Sequence, residues 1–332
     1  MPDFVLPRRA LGLGTLAALA APAAAPRAQT AAAWPTRPLR WLVGYPPGGA
    51  TDVIVRLLAN TMGPHFPQPI VVDNRPGAGA SIAAEALAKS PPDGATAMSV
   101  DMGVMVYNRA LYKRLPYDPV REMAPVALYA RFPFMLAVHP SVPARDAREF
   151  VALCKARPGQ VTMASVGIGS PHHLGIERFR RRLDHNVVHV PYRGGAPMAN
   201  DLAAGVVQAA FLDYTSGAAA YQGNRVRAVA ACTAERVQLL PDAPTLAEQG
   251  YPGLQLYSWQ GAVIPAATPA PVLDRFRALI ADAAATEEVG RRMQELGAER
   301  LPVTAAEFGR VMAQEEAQWL PLIRDLGISL DT

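Results

Sequence analysis

Two glycine-rich loops, each between a predicted strand and a predicted helix, contain the residue types that bind small anions. The first loop is Pro46-Pro-Gly-Gly-Ala-Thr-Asp52, and the second loop is Ser165-Val-Gly-Ile-Gly-Ser-Pro171. Glycine lets backbone N–H groups turn into a concavity, and the N-terminus of the following helix adds a positive partial charge. Each loop could hold a carboxylate or a phosphate, or could be a tight turn with no ligand. The presence of two such loops favours a cleft that closes on one anion.

The first loop lacks the motifs of nucleotide-binding sites. It contains neither the G-x-x-x-x-G-K-[ST] pattern of a P-loop nor the G-x-G-x-x-G pattern of a dinucleotide site. Asp52, in the first turn of the following helix, could compensate the helix dipole or contact the ligand.

Two further residues lie where a ligand could meet them. Asp213 ends the predicted strand Val207–Leu212, and the carboxyl ends of strands in an α/β sheet border the ligand crevice. Its carboxylate could accept a bond from an ammonium, a hydroxyl or a water, or could cap the helix Tyr214–Gln222. Arg75, in a third glycine-rich loop, could contact an anion or bond to its own loop.

Enzyme chemistry has little support. A Ser/His/Asp set could be assembled from Ser165 or Ser170, His172 or His173, and Asp213, but no G-x-S-x-G elbow accompanies it. Neighbouring residues on a helix point in different directions, so the two adjacent histidines are not expected to bind a metal together. We therefore expect no catalytic residue, no metal and no cofactor.

Strands and helices alternate around these loops in two sets, one before about residue 130 and one from about 140 to 225. This alternation predicts an α/β fold with parallel sheets covered on both faces. The predicted strands are Leu39–Val43, Pro69–Asp73, Ala95–Val100, Val161–Ala164, Val187–Val190 and Val207–Leu212. The predicted helices are Thr51–Met62, Ser81–Lys89, His172–Arg182, Ala196–Ala204 and Tyr214–Gln222.

The two sets predict two lobes. Residues 34–133 plus 233–332 are expected to form the first lobe, and residues 134–232 the second. The apolar stretches Phe134–His139 and Val226–Cys232 are expected to cross between them.

The region after residue 233 is predicted to be mostly helical. Thr268 is expected to cap a helix that begins at Pro269, and Thr304 with Glu307 predicts a capping box. Pro321 is expected to kink or end the last helix near Leu320, because proline removes a helical hydrogen bond.

Residues 1–33 have the pattern of an export signal. Arg8 and Arg9 precede the uncharged run Ala10–Pro26, and cleavage is expected after Ala28 or within residues 31–33. The arginine pair leaves the Sec and twin-arginine routes open, and an uncleaved anchor is the alternative. The uncharged run 251–273 contains four prolines, which argues against a membrane span. We expect a periplasmic protein without membrane insertion after signal cleavage.

Composition excludes several protein classes. The chain has 332 residues, of which 50% are hydrophobic and 18% charged, so a large core is available. The net charge of +4 forms no concentrated basic stripe, so nucleic-acid binding is not expected. Cys154 and Cys232 are too few for a disulfide-rich scaffold, and whether they pair is left open.

Seven motifs in order along the chain resemble those of the Bug (Bordetella uptake gene) family. These are the TctC-like extracytoplasmic solute receptors of tripartite tricarboxylate transporters, and the resemblance spans residues 34 to about 328. The motifs are Trp34-Pro-Thr-Arg-Pro-Leu-Arg40, the first loop, Asp73-Asn-Arg-Pro-Gly-Ala-Gly79, Pro92-Asp-Gly94, Ala110-Leu-Tyr-Lys-Arg-Leu-Pro-Tyr-Asp118, His189-Val-Pro-Tyr-Arg-Gly-Gly-Ala-Pro197 and Leu240-Pro-Asp-Ala-Pro-Thr245.

The resemblance implies a two-lobed periplasmic binding-protein fold of type II (Venus-flytrap) with a ligand cleft between the lobes. It implies a monomeric, non-enzymatic receptor that captures a small organic carboxylate for the membrane subunits of a tripartite transporter. The alternatives are an orphan receptor of the same fold used for sensing or scavenging and, with least support, a serine hydrolase. The candidate ligand-binding residues are Tyr45, Gly48, Gly49, Ala50, Asp52, Asp101, Ser165, Gly167, Gly169 and Asp213.

The sequence departs from the family pattern where specificity would be set. The segment Asp101-Met-Gly-Val-Met105 replaces small polar residues and a histidine, and Ile168-Gly-Ser-Pro-His-His-Leu174 replaces an Asn-Gly-Thr-Ser-Ser-His-Leu type run. Tyr214 follows Asp213, where the family commonly has asparagine. Asp101 would repel a second carboxylate if it faces the cleft. We therefore expect a monocarboxylate with a hydroxyl or ammonium group rather than a citrate-like ligand.

Overall fold

The computed structural model describes residues 34–330, which contain ten strands and ten α-helices. The strands are β1 (Leu39–Val43), β2 (Ile70–Asn74), β3 (Thr96–Val100), β4 (Met123–Val138), β5 (Thr162–Ser165), β6 (Val188–Pro191), β7 (Ala209–Asp213), β8 (Arg227–Ala231), β9 (Tyr257–Pro265) and β10 (Glu299–Val303). The helices are α1 (Ala50–Met62), α2 (Ser81–Ala88), α3 (Asn108–Leu111), α4 (Ala147–Ala156), α5 (Pro171–Leu183), α6 (Gly195–Ala203), α7 (Tyr214–Gln222), α8 (Ala270–Ala285), α9 (Glu287–Glu295) and α10 (Ala305–Leu326). A π-helical turn, Gly103–Tyr107, precedes α3.

The sheet contains two parallel units joined by long antiparallel strands. Its order is β2-β1-β3-β9-β4-β7-β5-β6, and β8 and β10 also pair with β4. Strand β1 is parallel to β2 and β3, and β5 is parallel to β6 and β7. The predicted parallel α/β architecture is therefore confirmed, and the carboxyl ends of the parallel strands carry the glycine-rich loops.

Strand β4 passes from one unit to the other. Residues Met123–Pro133 pair with β9, whereas Phe134–Val138 pair with β7 and β8. At the junction the backbone N–H of Cys232 donates to the carbonyl of Phe134, and that of Leu256 donates to the carbonyl of Cys232, both at 2.8 Å. The predicted crossing Phe134–His139 overlaps the second half of β4, and the exact lobe boundaries stay a prediction.

The alternating direction of side chains along β1 explains how the first parallel unit, which contains β1, β2 and β3, is covered on both faces. Trp41 and Val43 belong to the apolar cluster that contains Leu58 of α1 and Phe276 of α8. Leu42, between them, belongs to the cluster that contains Leu87 of α2. Successive side chains of a strand point to opposite faces, so one continuous apolar run serves both clusters. Burying each such side chain contributes about 1.5–3 kcal/mol.

Several C-terminal predictions are corrected by the structure. The region after 233 contains the strands β9 and β10, and α8 begins at Ala270 after Pro269, with no side-chain cap from Thr268. The capping box of Thr304 and Glu307 is confirmed at the start of α10. This helix continues past Pro321 to Leu326. Buried Trp319 and Ile323 hold the turns on either side of the proline against the core.

The structure also bears on disulfide pairing and on membrane-spanning helices. Cys154 and Cys232 are both buried free thiols, so they do not form a disulfide. Among residues 34–330, no helix combines the length and apolar character that a membrane span requires. The predicted export signal, residues 1–33, lies outside the described residues.

Candidate functional site

A cavity lies where loops from the two parallel units meet, and we refer to it as the binding cavity. The first unit contributes the first loop and Asp101, and the second contributes the N-termini of α5 and α6 together with Asp213. Phe132 and Phe134 of β4 and Ser258 and Gln260 of β9 complete its lining. The carboxyl ends of parallel strands therefore border the cavity, as expected for an α/β fold.

Two helix N-termini without side-chain caps face each other across the binding cavity. Helix α1 follows Gly49 and α6 follows Gly194, and neither glycine can cap its helix. A Cβ atom placed on Gly49 would lie 4.0 Å from the backbone nitrogen of Gly195. The first N–H groups of a helix lack intrahelical partners and carry positive partial charge. Because no lysine or arginine lines the cavity within the described chain, these backbone groups are its source of positive potential.

The loop opposite the first loop is not the one that we predicted. The β6–α6 loop, with Gly194 and Gly195, faces it, whereas the second loop was the expected counterpart. Gly194 has a φ of +123°, and a Cβ on Gly195 would lie 2.4 Å from Ser216 Oγ, so both positions need glycine. The Gly194-Gly195 pair after a predicted strand repeats Gly48-Gly49 and was the signal available in the sequence.

The second loop borders an adjoining open groove. Gly167 and Gly169 line this groove, which shares Tyr45 and Val166 with the binding cavity. Ser165 lies behind the loop, where its hydroxyl donates to the carbonyl of Gly167 and lies 2.7 Å from His189 Nε2. Its side chain therefore stabilises the loop and does not line either cavity.

Asp101 and Tyr45 form a buried pair in the lining. The Tyr45 hydroxyl donates to Asp101 Oδ2 at 2.5 Å, and the backbone N–H of Val104 donates to Oδ1 at 3.1 Å. Burial raises the pKa of Asp101, and these hydrogen bonds partly oppose the rise. Burial and the neighbouring carboxylate hold the pKa of Tyr45 well above its usual range, so the tyrosine remains a donor. Asp101 thus faces the cavity, which is the position from which it would repel a second carboxylate.

Asp52 and Gly48 stabilise the first loop from outside the cavity lining. The backbone N–H of Gly48 donates to Asp52 Oδ2 at 2.9 Å, and Arg56 and Asn74 also donate to this carboxylate. Burial alone would raise the pKa of Asp52, but the hydrogen bonds from Arg56, Gly48 and Asn74 together lower it. Of the predicted residues in this loop, Tyr45, Gly49 and Ala50 line the cavity.

Asp213 has both of the roles that its position allowed. Its Oδ1 accepts a bond of 2.7 Å from the backbone N–H of Ser216 and so caps α7, while its side chain also lines the cavity. His172 lies beside it, with Nε2 3.8 Å from Asp213 Oδ2, and packs against the ring of Phe134. In the sequence, His172 was a candidate only for catalysis or metal binding.

Gln260 is a further lining residue that the sequence did not indicate. Its Nε2 donates to Thr51 Oγ1 at 2.7 Å, which ties β9 to the start of α1. The residue was missed because β9 was not predicted. Within residues 34–330, no group of three or more His, Cys, Asp or Glu side chains is arranged to hold a metal ion.

A stacked histidine pair behind the second loop predicts acid sensitivity of folding. The rings of His173 and His189 are 4.0 Å apart, and His173 Nδ1 accepts a bond from the N–H of Gly169. Burial lowers the pKa of His173 to about 3 and that of His189 to about 4, with further contributions from Arg180. An unfolded histidine titrates at about 6.5. The unfolded chain therefore binds more protons than the native chain between about pH 6.5 and pH 4, and stability decreases as the pH falls through this range.

We expect the free energy of unfolding to fall by about 2 kcal/mol from pH 7 to pH 5 through these rings, mostly through His173, since solvent screens the half-buried His189. Urea denaturation at the two pH values measures this difference. His173→Gln keeps an acceptor for Gly169 and should flatten the pH dependence, while the exposed control His65→Gln should not. An equal pH dependence in the wild type and His173→Gln would contradict the assignment.

Comparisons with known proteins identify the family. The sequence model of the tripartite tricarboxylate transporter family receptor (TctC) matches residues 54–328. The chain is 32% identical to protein BugT of Bordetella pertussis over 90% of this chain and 91% of that protein. A Rhodopseudomonas palustris protein solved with adipate superposes with a TM-score of 0.85 at 31% identity, covering 89% of this chain and 99% of that one. MatC from the same organism, solved with bound malate, has a TM-score of 0.81 at 28% identity, covering 87% and 100%.

These matches confirm the predicted family and the two-lobed periplasmic binding-protein fold. The matching proteins are solute-binding proteins, which confirms the expectation of a receptor rather than an enzyme. Glycine-rich loops face each other across the cavity, and the family model covers most of the chain. The chain therefore belongs to the tripartite tricarboxylate transporter receptor family.

Proposed function

We propose that this protein is a periplasmic receptor that captures a small organic carboxylate and delivers it to the membrane subunits of a tripartite transporter. The observation that carries the proposal is the pair of uncapped helix N-termini, of α1 and α6, that face each other in a cavity lined by no lysine or arginine of residues 34–330. Such an arrangement suits a singly charged planar group that accepts hydrogen bonds from several backbone N–H groups.

The relatives support the chemical class of the ligand. The adipate-bound and malate-bound proteins cover nearly the whole described chain, and both ligands are small carboxylates. In this chain, Phe132, Phe134 and Val166 add apolar surface to the cavity, which fits the carbon skeleton of a small acid.

The predicted site residues, together with Gly195, divide into four roles in this proposal. The backbone groups of Gly49, Ala50 and Gly195 hold the carboxylate, and Tyr45, Asp101 and Asp213 shape the opposite end of the cavity. Gly48, Asp52 and Ser165 stabilise the loops through the bonds described above. Gly167 and Gly169 border the adjoining groove.

Delivery in the periplasm also requires export, for which the pattern of residues 1–33 is suited. The mature chain is expected to begin between about Ala25 and Trp34. N-terminal sequencing of the protein recovered from the periplasm tests this, and an intact Met1 would contradict it. Monomers should be found by sedimentation of the mature chain.

The expected result for ligand binding is a rise of the melting temperature with small organic acids. A ligand present at 100 times its Kd stabilises a folded protein by about 2.7 kcal/mol. Thermal denaturation should be measured with a panel of aliphatic and aromatic acids and with the methyl ester of each acid as a matched neutral control. Stabilisation by an acid but not by its ester supports the proposal. A cooperative transition that no acid in the panel shifts would overturn it.

A further inference from the structure

Two polar side chains of the binding cavity, His172 and Asp213, have unused hydrogen-bonding capacity. His172 is 6% exposed, and neither of its ring nitrogens has a hydrogen-bond partner among residues 34–330. Asp213 is 3% exposed and uses Oδ1 to cap α7, whereas Oδ2 is directed to His172 and a carboxylate has further lone pairs with which to accept. Buried polar groups of native proteins are nearly always bonded, so this pair points to a ligand group.

The distance between the two side chains limits what can lie between them. His172 Nε2 and Asp213 Oδ2 are 3.8 Å apart, which is too far for a direct hydrogen bond. One oxygen atom can lie at about 2.8 Å from both, which is an ordinary hydrogen-bond length. An imidazole protonated at Nε2 donates one bond, and a carboxylate only accepts. The negative charge of Asp213, 3.8 Å away, favours the tautomer with the proton on Nε2. With that tautomer, the group between them accepts one hydrogen bond and donates another.

Two other polar side chains that line this region are Asp101 and Gln260. Asp101 already accepts bonds from Tyr45 and from the backbone N–H of Val104. The ring of Phe134 packs against His172, with the ring centres 4.2 Å apart and the planes tilted by 31°, and so restricts the imidazole. Gln260 Oε1 also has no hydrogen-bond partner among residues 34–330, but as an acceptor it cannot supply the donated bond that His172 can provide.

A hydroxyl group meets the requirement for one accepted and one donated bond. An ammonium group has no lone pair to accept from His172, and a carbonyl has no proton for Asp213. A carboxylate would add a second negative charge beside Asp213. We propose that His172 and Asp213 recognise a hydroxyl of the ligand, so that the receptor selects hydroxycarboxylic acids. The inference rests on the proposed function, because the carboxylate of the same molecule would bind at the N-termini of α1 and α6.

The test compares acids that differ in one group. Calorimetry at a fixed pH of about 7.5 should use butyrate, the 2-, 3- and 4-hydroxybutyrates and the matching amino and oxo acids, with phenylacetate and mandelate as an aromatic pair. At least one hydroxy acid should bind about 10- to 100-fold more tightly than its deoxy partner, as expected for hydrogen bonds to a buried carboxylate. The ratio of the two affinities is the measured quantity.

Two variants separate this role from a packing role. His172→Phe keeps the ring contact with Phe134 but has no N–H, so the ratio should fall to about 1–3. In Asp213→Asn the amide oxygen can keep the helix cap, which places an N–H donor toward the ligand. Preference should then move from the hydroxy acid to the oxo acid. The exposed control His65→Phe should leave the ratio unchanged.

The outcomes distinguish this inference from the proposed function. Deoxy and hydroxy acids that bind equally in the wild type would overturn the hydroxyl assignment, with a bound water taking that position, while the carboxylate receptor stands. A preference that survives in both variants would also overturn it. If none of the acids binds, the proposed function fails and this inference fails with it.

Discussion

Replacing Gly49 by valine is expected to abolish carboxylate binding, by more than about 100-fold, while the protein still folds. Gly49 has φ −81° and ψ 170°, a conformation that any residue adopts. A Cβ there would meet only the carbonyl of Pro46 at 3.9 Å and the nitrogen of Gly195 at 4.0 Å, which is ordinary contact. The backbone therefore tolerates the change, but the valine methyl groups would occupy the space between the N-termini of α1 and α6.

The measurement is calorimetry with whichever acid stabilises the wild type most, together with urea denaturation of each variant. Gly63→Val is a matched control at the other end of α1, where a Cβ would meet nothing within 4 Å. The control should bind like the wild type. A Gly49→Val protein with unchanged stability and wild-type affinity would show that the carboxylate does not bind between these helices.

The first loop could be predicted from the sequence because its signal is local. A strand, adjacent glycines and a helix follow one another within about twenty residues, and periodicity identifies all three. Asp213 was found in the same way, from its position at the end of a predicted strand. Both the first loop and Asp213 line the observed cavity.

The partner of the first loop could not be predicted in this way. The second loop and the β6–α6 loop have similar local patterns, and which one faces Gly49 depends on how the two parallel units are placed by β4 and β9. Strand β9 was missed because its sequence, between prolines, has no clear period of two and is buried along most of its length. Ser258 and Gln260 were therefore missing from the predicted site.

The role of His172 illustrates a different limit. Its neighbour His173 is bonded to the second loop and stacked on His189, whereas His172 lines the cavity and has no hydrogen-bond partner in the described part of the chain. Adjacent residues of a helix point about 100° apart, so the sequence indicated that the two differ. Which of them faces a ligand depends on the rotation of α5 against β4, and that is fixed by tertiary packing.

The second large effect expected is exclusion of citrate. Asp101 and Asp213 both line the cavity, and no cationic side chain of the described residues lines it with them. A carboxylate that enters in addition to the anchored one would lie within several ångströms of these groups. At an effective dielectric constant of about 20, two like charges about 6 Å apart cost about 2–3 kcal/mol, which corresponds to roughly 100-fold in affinity. We therefore expect citrate to bind at least about 100-fold more weakly than the best monocarboxylate.

Asp101→Asn tests the electrostatic origin of this exclusion. The asparagine oxygen can still accept the bond from the Tyr45 hydroxyl, whereas the bond from the Val104 N–H is lost, so the change removes a charge and one hydrogen bond with little change of shape. Calorimetry should show that the affinity for succinate and citrate rises by about 10-fold or more, while the affinity for a monocarboxylate changes much less. Asp274→Asn, at an exposed position on α8, is the control and should alter neither. Tight citrate binding by the wild type, unaltered in Asp101→Asn, would overturn this account of specificity. The anchoring of one carboxylate by α1 and α6 would survive that result, because it depends on backbone groups that the substitution does not touch.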